Sequence, residues 1–451
     1  MSKMPNYVST TNACKLCKPL GASLAFRGIE GAVPFLHGSQ GCATYMRRYI
    51  ISHFNEPIDI ASSSLGEKHA VYGGSANLKL GLNNVISKYA PQLIGVATTC
   101  LTETIGDDVK MILHEYQEEF QNGINDPYII SVSTPSYSGT HMEGFNAALK
   151  AVVEQLSTGG NREDTINILP GFISAADLRY LKEMVKDFGI SATILPDISE
   201  TLDGEALNEY PLIPKGGTPI ADIQKMGSSR LTLECGSTLP DETAGTSLKK
   251  MFEVPLQRFG LPIGIRETDA FMSALEKASG SPMPEKYAKA RGRLIDAMVD
   301  GHKYIFGKRA IVYGEEDLVV GLTSMLAEIG VKPVLCASGG KSGKFERSIK
   351  HVLEGIDCDM PEVHENVDFF DIQERAAELE IDILIGHSKG YTFSRAENIP
   401  LIRVGFPIHD RVGGQRLLHI GYHGAQQLFD TITNTMIAKK QDDSDVGYSY
   451  M

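Results

Sequence analysis

Thiol sulfur is distributed unevenly along this sequence. Of seven cysteines, Cys14, Cys17, Cys42 and Cys100 fall within the first hundred residues, and Cys235, Cys336 and Cys358 are scattered over the rest. Cys17 lies in NACKLCKPLGA, Cys42 in HGSQGC and Cys100 in ATTCLTETIGDD. Thiolates are soft ligands suited to iron–sulfur clusters, and Gly38, Gly41 and Gly106 would let backbone approach a bulky object. Three cysteines are one short of the set that completes an ordinary [4Fe-4S] cubane, so the remaining ligation would come from a partner chain. Buried structural thiols are the competing explanation, because free cysteine is among the most buried residue types; spacing alone leaves both open. The CxxC of Cys14 and Cys17 would suit zinc or a redox pair, but no second CxxC or histidine pair completes a zinc site, and no thioredoxin-like strand precedes it. An odd cysteine count without a secretory signal argues against a disulfide framework. His37 and His53 are expected to be hydrogen-bonded packing residues rather than ligands.

The elements that must position these residues follow from hydrophobic patterning. Cys42 and Cys100 each follow an apolar run that reads as a strand, VPFL and LIGVA, while Cys17 precedes a helix. Ligands of open α/β sheets gather in the loops at such strand ends. QLIGVATTC and DDVKMILHEYQEEF predict a buried strand and the helix after it, with Asp107 and Asp108 at the helix amino terminus. INILPG, DLRYLKEMVKDFG and ISATILPD repeat the alternation, with Gly189 as a helix stop. RAIVYG, DLVVGLTSMLAEIG and KPVLCAS do so again, followed by a helix near FFDIQERAAELE and strands IDILIG and PLIRVGF. The pattern predicts an α/β protein of three doubly wound, Rossmann-like domains with mainly parallel sheets. Boundaries are expected near 155, where VEQLSTGGNRED is polar and glycine-rich, and near 305, after a long connecting helix in PEKYAKARGRLIDAMVDGHKYIFG. The expected domains are therefore 1–155, 156–304 and 305–451 with a carboxyl-terminal tail. YGEED and LPGF lack the glycine spacing of a dinucleotide fingerprint, so the fold does not imply NAD binding.

Composition agrees with this plan. A chain of 451 residues exceeds what one hydrophobic core spans. Apolar residues make up 42% and charged residues 22% with no low-complexity tract, so the whole length is expected to fold. A net charge of −13 with scattered Lys and Arg argues against a nucleic-acid partner. The segment MSKMPNYVSTTNACKLC carries no signal-peptide core, and no apolar run of about 18 residues occurs, which points to a cytoplasmic protein without membrane contact.

Longer motifs carry a resemblance. CKPLGASLAFRGIEGAVPFLHGSQGC, RRYIISHFNEPIDIASSS, AVYGG, ATTCLTETIGDD and TPSYSGTH, then LPGF, GLPIGIRETDAF, ILIGHSKG, IPLIRVGFPIHDR and GYHGA, resemble in order and spacing the β subunit of the nitrogenase component 1 superfamily over nearly the whole chain. The resemblance implies that Cys17, Cys42 and Cys100, 25 and 58 residues apart, are the β-side ligands of an [8Fe-7S] P-cluster shared with an α-type subunit. It implies that Ser136 binds an iron of the oxidised cluster, where a turn or capping hydroxyl is the plain alternative. Tyr45 would stand between that cluster and an active-site metal cofactor on the partner subunit, and Tyr72 on the surface that meets an ATP-dependent iron protein; a core tyrosine is the alternative for either. Cys14 has no counterpart among the β ligands. The absence of a GxxxxGK[ST] motif agrees with ATP being handled by that other protein. The implied assembly is an α2β2 heterotetramer that reduces dinitrogen or a related small substrate such as a methylthio-alkane. The alternative within the superfamily is the N-type subunit of the cofactor-assembly scaffold. The short amino terminus and ILIGHSKG look more like the alternative-metal and nitrogenase-like branches.

Overall fold

The computed structural model describes residues 13–120 and 126–446. Most of the segment read above as free of a signal peptide, and the end of the carboxyl-terminal tail, lie outside the described residues. Within them the chain forms three sheets in which every strand pairing is parallel. The first contains β1 (Ala32–His37), β2 (Ala61–Ser62), β3 (Leu93–Thr98) and β4 (Tyr128–Val132) in the order β2-β1-β3-β4. The second contains β5 (Glu163–Leu169), β6 (Ala192–Ile194), β7 (Ser229–Cys235) and β8 (Leu256–Phe259), ordered β6-β5-β7-β8. The third contains β9 (Arg309–Gly314), β10 (Lys332–Ser338), β11 (Glu362–His364), β12 (Ile383–Gly386) and β13 (Leu401–Arg403), ordered β11-β10-β9-β12-β13.

Strands covered by helices on both faces read as continuous apolar runs. β1 and β3 are buried at every position. Alternation divides their side chains between two cores: Val33, Phe35, Ile94 and Val96 pack on one face with Leu78, Leu82 and Ile112. Ala32, Leu36, Leu93 and Ala97 enter the main core, which continues through all three sheets. Where the sheets meet, polar groups are paired internally. His141 Nε2 lies 2.9 Å from Glu315 Oε1, and His53 Nδ1 accepts the Ile408 N–H at 2.9 Å. Burial drives the His53 imidazole down to about 3, so it is neutral and serves as an acceptor. Among the described residues no helix is long and apolar enough to cross a membrane.

Helix α1 (Lys18–Arg27) is buried on all sides, nine of its ten residues having little exposure. It packs against the helix His141–Leu156 through glycines. A Cβ on Gly21 would lie 1.6 Å from the His141 carbonyl oxygen, and one on Gly144 would lie 1.8 Å from the Lys18 carbonyl oxygen. Gly144→Ala is therefore expected to force the helices apart and destabilise the protein by about 3 kcal/mol or more. Gly292→Ala, on the exposed part of the helix Glu285–Ile305 with nothing within 4 Å, is expected to stabilise by about 1 kcal/mol. Denaturation midpoints of the two variants moving in opposite directions would check both.

Candidate metal centre

The first sheet reverses its strand order between β1 and β3, so the connections leaving these adjacent strands depart to opposite sides and open a crevice at their carboxyl ends. His37 and Thr98 are register partners at those ends. The Thr99 N–H donates to the His37 carbonyl at 3.1 Å, and the Thr102 hydroxyl donates to the same oxygen at 3.0 Å. Gly38 admits this contact, because a Cβ there would lie 2.1 Å from Thr99 Oγ1. Its lack of a side chain thus serves strand-end packing, whereas Gly41 has only Ser39 Oγ nearby, at 3.8 Å.

Each of the three cysteines begins a helix. Cys17 is the residue before α1, Cys42 lies in the first turn of α2 (Gln40–Phe54), and Cys100 opens the helix Cys100–Ile105. Cys42 and Cys100 were expected in strand-end loops, but Thr99 and Thr102 close a capping interaction that starts a helix immediately after β3. A helix amino terminus favours negative charge, the form in which sulfur binds metal.

Side-chain and backbone contacts stitch the three segments together. The Ser136 N–H donates to Cys100 Sγ at 3.2 Å, and the Ser39 hydroxyl donates to Cys42 Sγ at 3.6 Å. Ser136 starts the short 3-10 turn Ser136–Ser138, and Thr134 just before it donates twice to Thr98, its N–H to the hydroxyl at 2.8 Å and its hydroxyl to the carbonyl at 2.7 Å. Cys17 forms a β-bridge with Thr140, and Lys18 Nζ donates to Ser138 Oγ at 3.0 Å. The amide of Ser136, not its hydroxyl, makes the contact to sulfur. Cys17 is exposed, and Cys42 and Cys100 are half-buried. All seven cysteines are free.

The other thiols are packing groups. Cys14 is buried with Ile311 and Tyr313 in the core of the third sheet, and burial pushes its thiol well above the ordinary cysteine range. Burial pushes the Cys235 and Cys336 thiols up to about 12. Cys14 and Cys17 therefore face different environments, which argues against a redox or zinc pair. Among the described residues no three His, Cys, Asp or Glu side chains gather closely enough to hold one metal ion. The donor set fits soft metals and is spread too widely for a mononuclear site made by this chain.

His37 behaves as a packing residue: Nδ1 meets Ser63 Oγ at 2.9 Å and Nε2 meets Asp107 Oδ2 at 3.1 Å. Asp107 was expected to cap a helix, yet Asp108 does that through the Met111 N–H at 3.0 Å. Asp107 turns inward instead, because Gly106 takes a left-handed conformation with φ 79°, and it also accepts the Gly74 N–H. Tyr45 and Tyr72 are not core residues; they are 65% and 86% exposed, and Val71, next to Tyr72, is exposed as well.

The model for "Nitrogenase component 1 type Oxidoreductase" matches residues 17–437. The nitrogenase molybdenum-iron protein beta chain of Clostridium pasteurianum is 37% identical over 429 residues, covering 95% of this chain and 93% of that one. That of Methanococcus maripaludis is 36% identical over 445 residues, covering 96% of each. A solved chain of "Nitrogenase Cp1 at pH 6.5" superposes with a TM-score of 0.96 at 35% identity, covering 100% of this chain and 98% of that chain. A chain of "Nitrogenase Cp1 at pH 5" shares the fold alone, with a TM-score of 0.70 at 15% identity over 99% of this chain and 94% of that one. With a match that runs through all three sheets and includes each of the helix-starting cysteines, the chain belongs to the nitrogenase component 1 type oxidoreductases, as a β-type subunit of an oxidoreductase complex.

Proposed function

We propose that this chain relays electrons from an ATP-dependent iron protein to an active-site metal cofactor held by a homologous α-type subunit. The relay is an [8Fe-7S] cluster of the P-cluster type, shared between the two chains of an α2β2 heterotetramer. Its substrate is dinitrogen or a related small molecule such as a methylthio-alkane. Cys17, Cys42 and Cys100 supply this chain's thiolates, and the Ser136 hydroxyl adds a ligand in the oxidised state. The observation that carries this reading is the stitching of three free cysteines to one open end of the first sheet, each on a helix amino terminus. The division of the chain at about 155 and 305 belongs to the same proposal, supported by each sheet drawing its strands from one of these intervals.

When bound, an iron–sulfur cluster of this kind takes up and releases electrons at its irons. This chain's own groups orient and stabilise it. The helix starts place positive ends of peptide dipoles toward the sulfurs, and the Ser136 N–H and Ser39 hydroxyl donate to two of them, which tunes the charge that sulfur bears. The exposed Cys17 leaves one side of the centre open for the partner's ligands. Tyr45 borders the electron path, and Tyr72 with Val71 offers an apolar docking surface to the iron protein.

Iron analysis of the anaerobically purified assembly tests the reading. About eight cluster irons per αβ pair besides the cofactor are expected, whereas four would assign a [4Fe-4S] cluster and an assembly scaffold. Assays with dinitrogen, acetylene and a thioether then identify the substrate class. Tyr72→Ala is expected to leave iron content unchanged and to raise the apparent KM for the iron protein roughly three- to tenfold, as loss of a central aromatic contact does. An unchanged KM would remove Tyr72 from the docking surface.

A further inference from the structure

Arg27 ends α1 and is only 4% exposed, yet its guanidinium forms no ion pair or hydrogen bond among the described residues. Nε and Nη2 are fully buried without an acceptor. A buried cation without a partner is costly, and arginine does not escape by losing its proton at neutral pH: burial, partly offset by Asp59, lowers it only to about 10. Asp59 is the carboxylate whose charge it feels, but Asp59 is engaged elsewhere, by Arg47 at 3.3 Å and by the Tyr89 hydroxyl at 2.8 Å. Nη1 is the guanidinium nitrogen that is not fully buried, and it is the donor a group from outside the chain can reach.

The space for it is present. Arg27 lines a cavity of about 330 Å³ between the segments 56–59 and 200–216, within the size range of small-molecule sites. Ile58, Leu207, Tyr210 and Leu212 give it apolar walls. Arg47 and Lys215 add positive charge, while Glu56, Glu200 and Glu205 add negative charge around the same opening. We propose that this cavity binds a small organic carboxylate through the Arg27 guanidinium. An arginine N–H matches a carboxylate oxygen, and the apolar walls require a carbon skeleton, which inorganic phosphate lacks. The cavity lies at the far end of α1 from Cys17, about 15 Å along the helix axis, and shares no residue with the metal centre.

Succinate, acetate and inorganic phosphate serve as probes for the intact assembly purified with its partner chain. Calorimetry should show saturable binding of succinate at one site per copy of this chain, with acetate weaker and phosphate not competing. Arg27→Lys should weaken succinate roughly tenfold, through loss of the guanidinium donor at the cavity wall. Lys215→Ala, at an exposed position, should weaken it a few-fold while leaving the fold intact. A second readout separates binding from folding: succinate should raise the melting temperature of the wild-type assembly and not that of Arg27→Met. No saturable binding of succinate, competition by phosphate, or binding that is indifferent to Arg27→Lys and Lys215→Ala would each overturn the proposal and leave a guanidinium satisfied by water alone.

Discussion

Replacing Cys42 by alanine is expected to lower the iron content of the assembly and to slow electron delivery to substrate by about 100-fold. Outer partners of a metal site, which touch only the ligands, already cost about 10–100-fold when changed, and Cys42 is proposed as a ligand itself. The fold should survive, because the residue sits half-buried in the first turn of α2, where its sulfur only accepts from Ser39 and alanine is a good helix former. Cys358→Ala is the matched control. Cys358 is half-buried too, but its sulfur meets only the Asp359 carbonyl at 3.6 Å, in the part of the chain that builds the third sheet. Metal analysis and electron flux at saturating iron protein should fall together in the first variant and stay unchanged in the second. Full iron and full activity in Cys42→Ala would show that this sulfur is not a ligand.

Asp177→Ala should produce the largest loss of stability, about 3–5 kcal/mol. The Asp177 side chain is 1% exposed and accepts from the backbone N–H groups of His419 and Ile420 at 2.7 and 3.1 Å, from Ser174 N–H at 3.1 Å, and pairs with His419 Nδ1 at 3.1 Å. It thereby ties the helix Ala175–Asp187 to the segment leading into the helix Gly421–Asp442. Removing the carboxylate strands several buried donors at once, which costs far more than the pair contributes. Asp177→Asn, which keeps the shape, should recover part of the loss, and a denaturant midpoint would rank the three proteins. Burial alone would raise this carboxyl, but the charge of His419 and its hydrogen bonds outweigh that and hold it below the ordinary aspartate range. A depressed carboxyl contributes in full above about pH 4, its unfolded value, and the contribution fades as pH falls toward the native value. Acid should therefore narrow the gap between wild type and Asp177→Asn, and a gap that widened in acid would contradict the assignment.

Much of the fold was legible because parallel strands buried on both faces leave an unmistakable trace. LIGVAT, ILIG and RAIVYG are apolar nearly throughout, and each appears as a central strand. The long helix in PEKYAKARGRLIDAMVDGHKYIFG was equally plain, and the structure places it at Glu285–Ile305. Strands at the margins were less visible. β2 is two residues long, and β8, LQRF, is partly exposed and mixes charge with apolar residues. β7 was hidden for another reason: it opens on Ser229 and Arg230, which pair with Asn167, Thr165 and Asp164 of the neighbouring strand rather than with an apolar layer. The cysteine motifs were legible in type and order, and Cys17 was placed ahead of its helix, but the helix positions of Cys42 and Cys100 were not, since the capping threonine beside Cys100 is a weak local signal. Arg27 gave no signal at all in the sequence. Its burial without a partner is a property of how α1 lies against distant segments.

The three sulfurs ride on elements that owe their positions to ordinary packing: strand ends locked by Thr99 and Gly38, and a helix pinned by Gly21 and Gly144. Under the proposed cluster reading, these packing contacts set the half-socket, which would allow iron to be delivered after translation and chain pairing, onto a receptacle already cast.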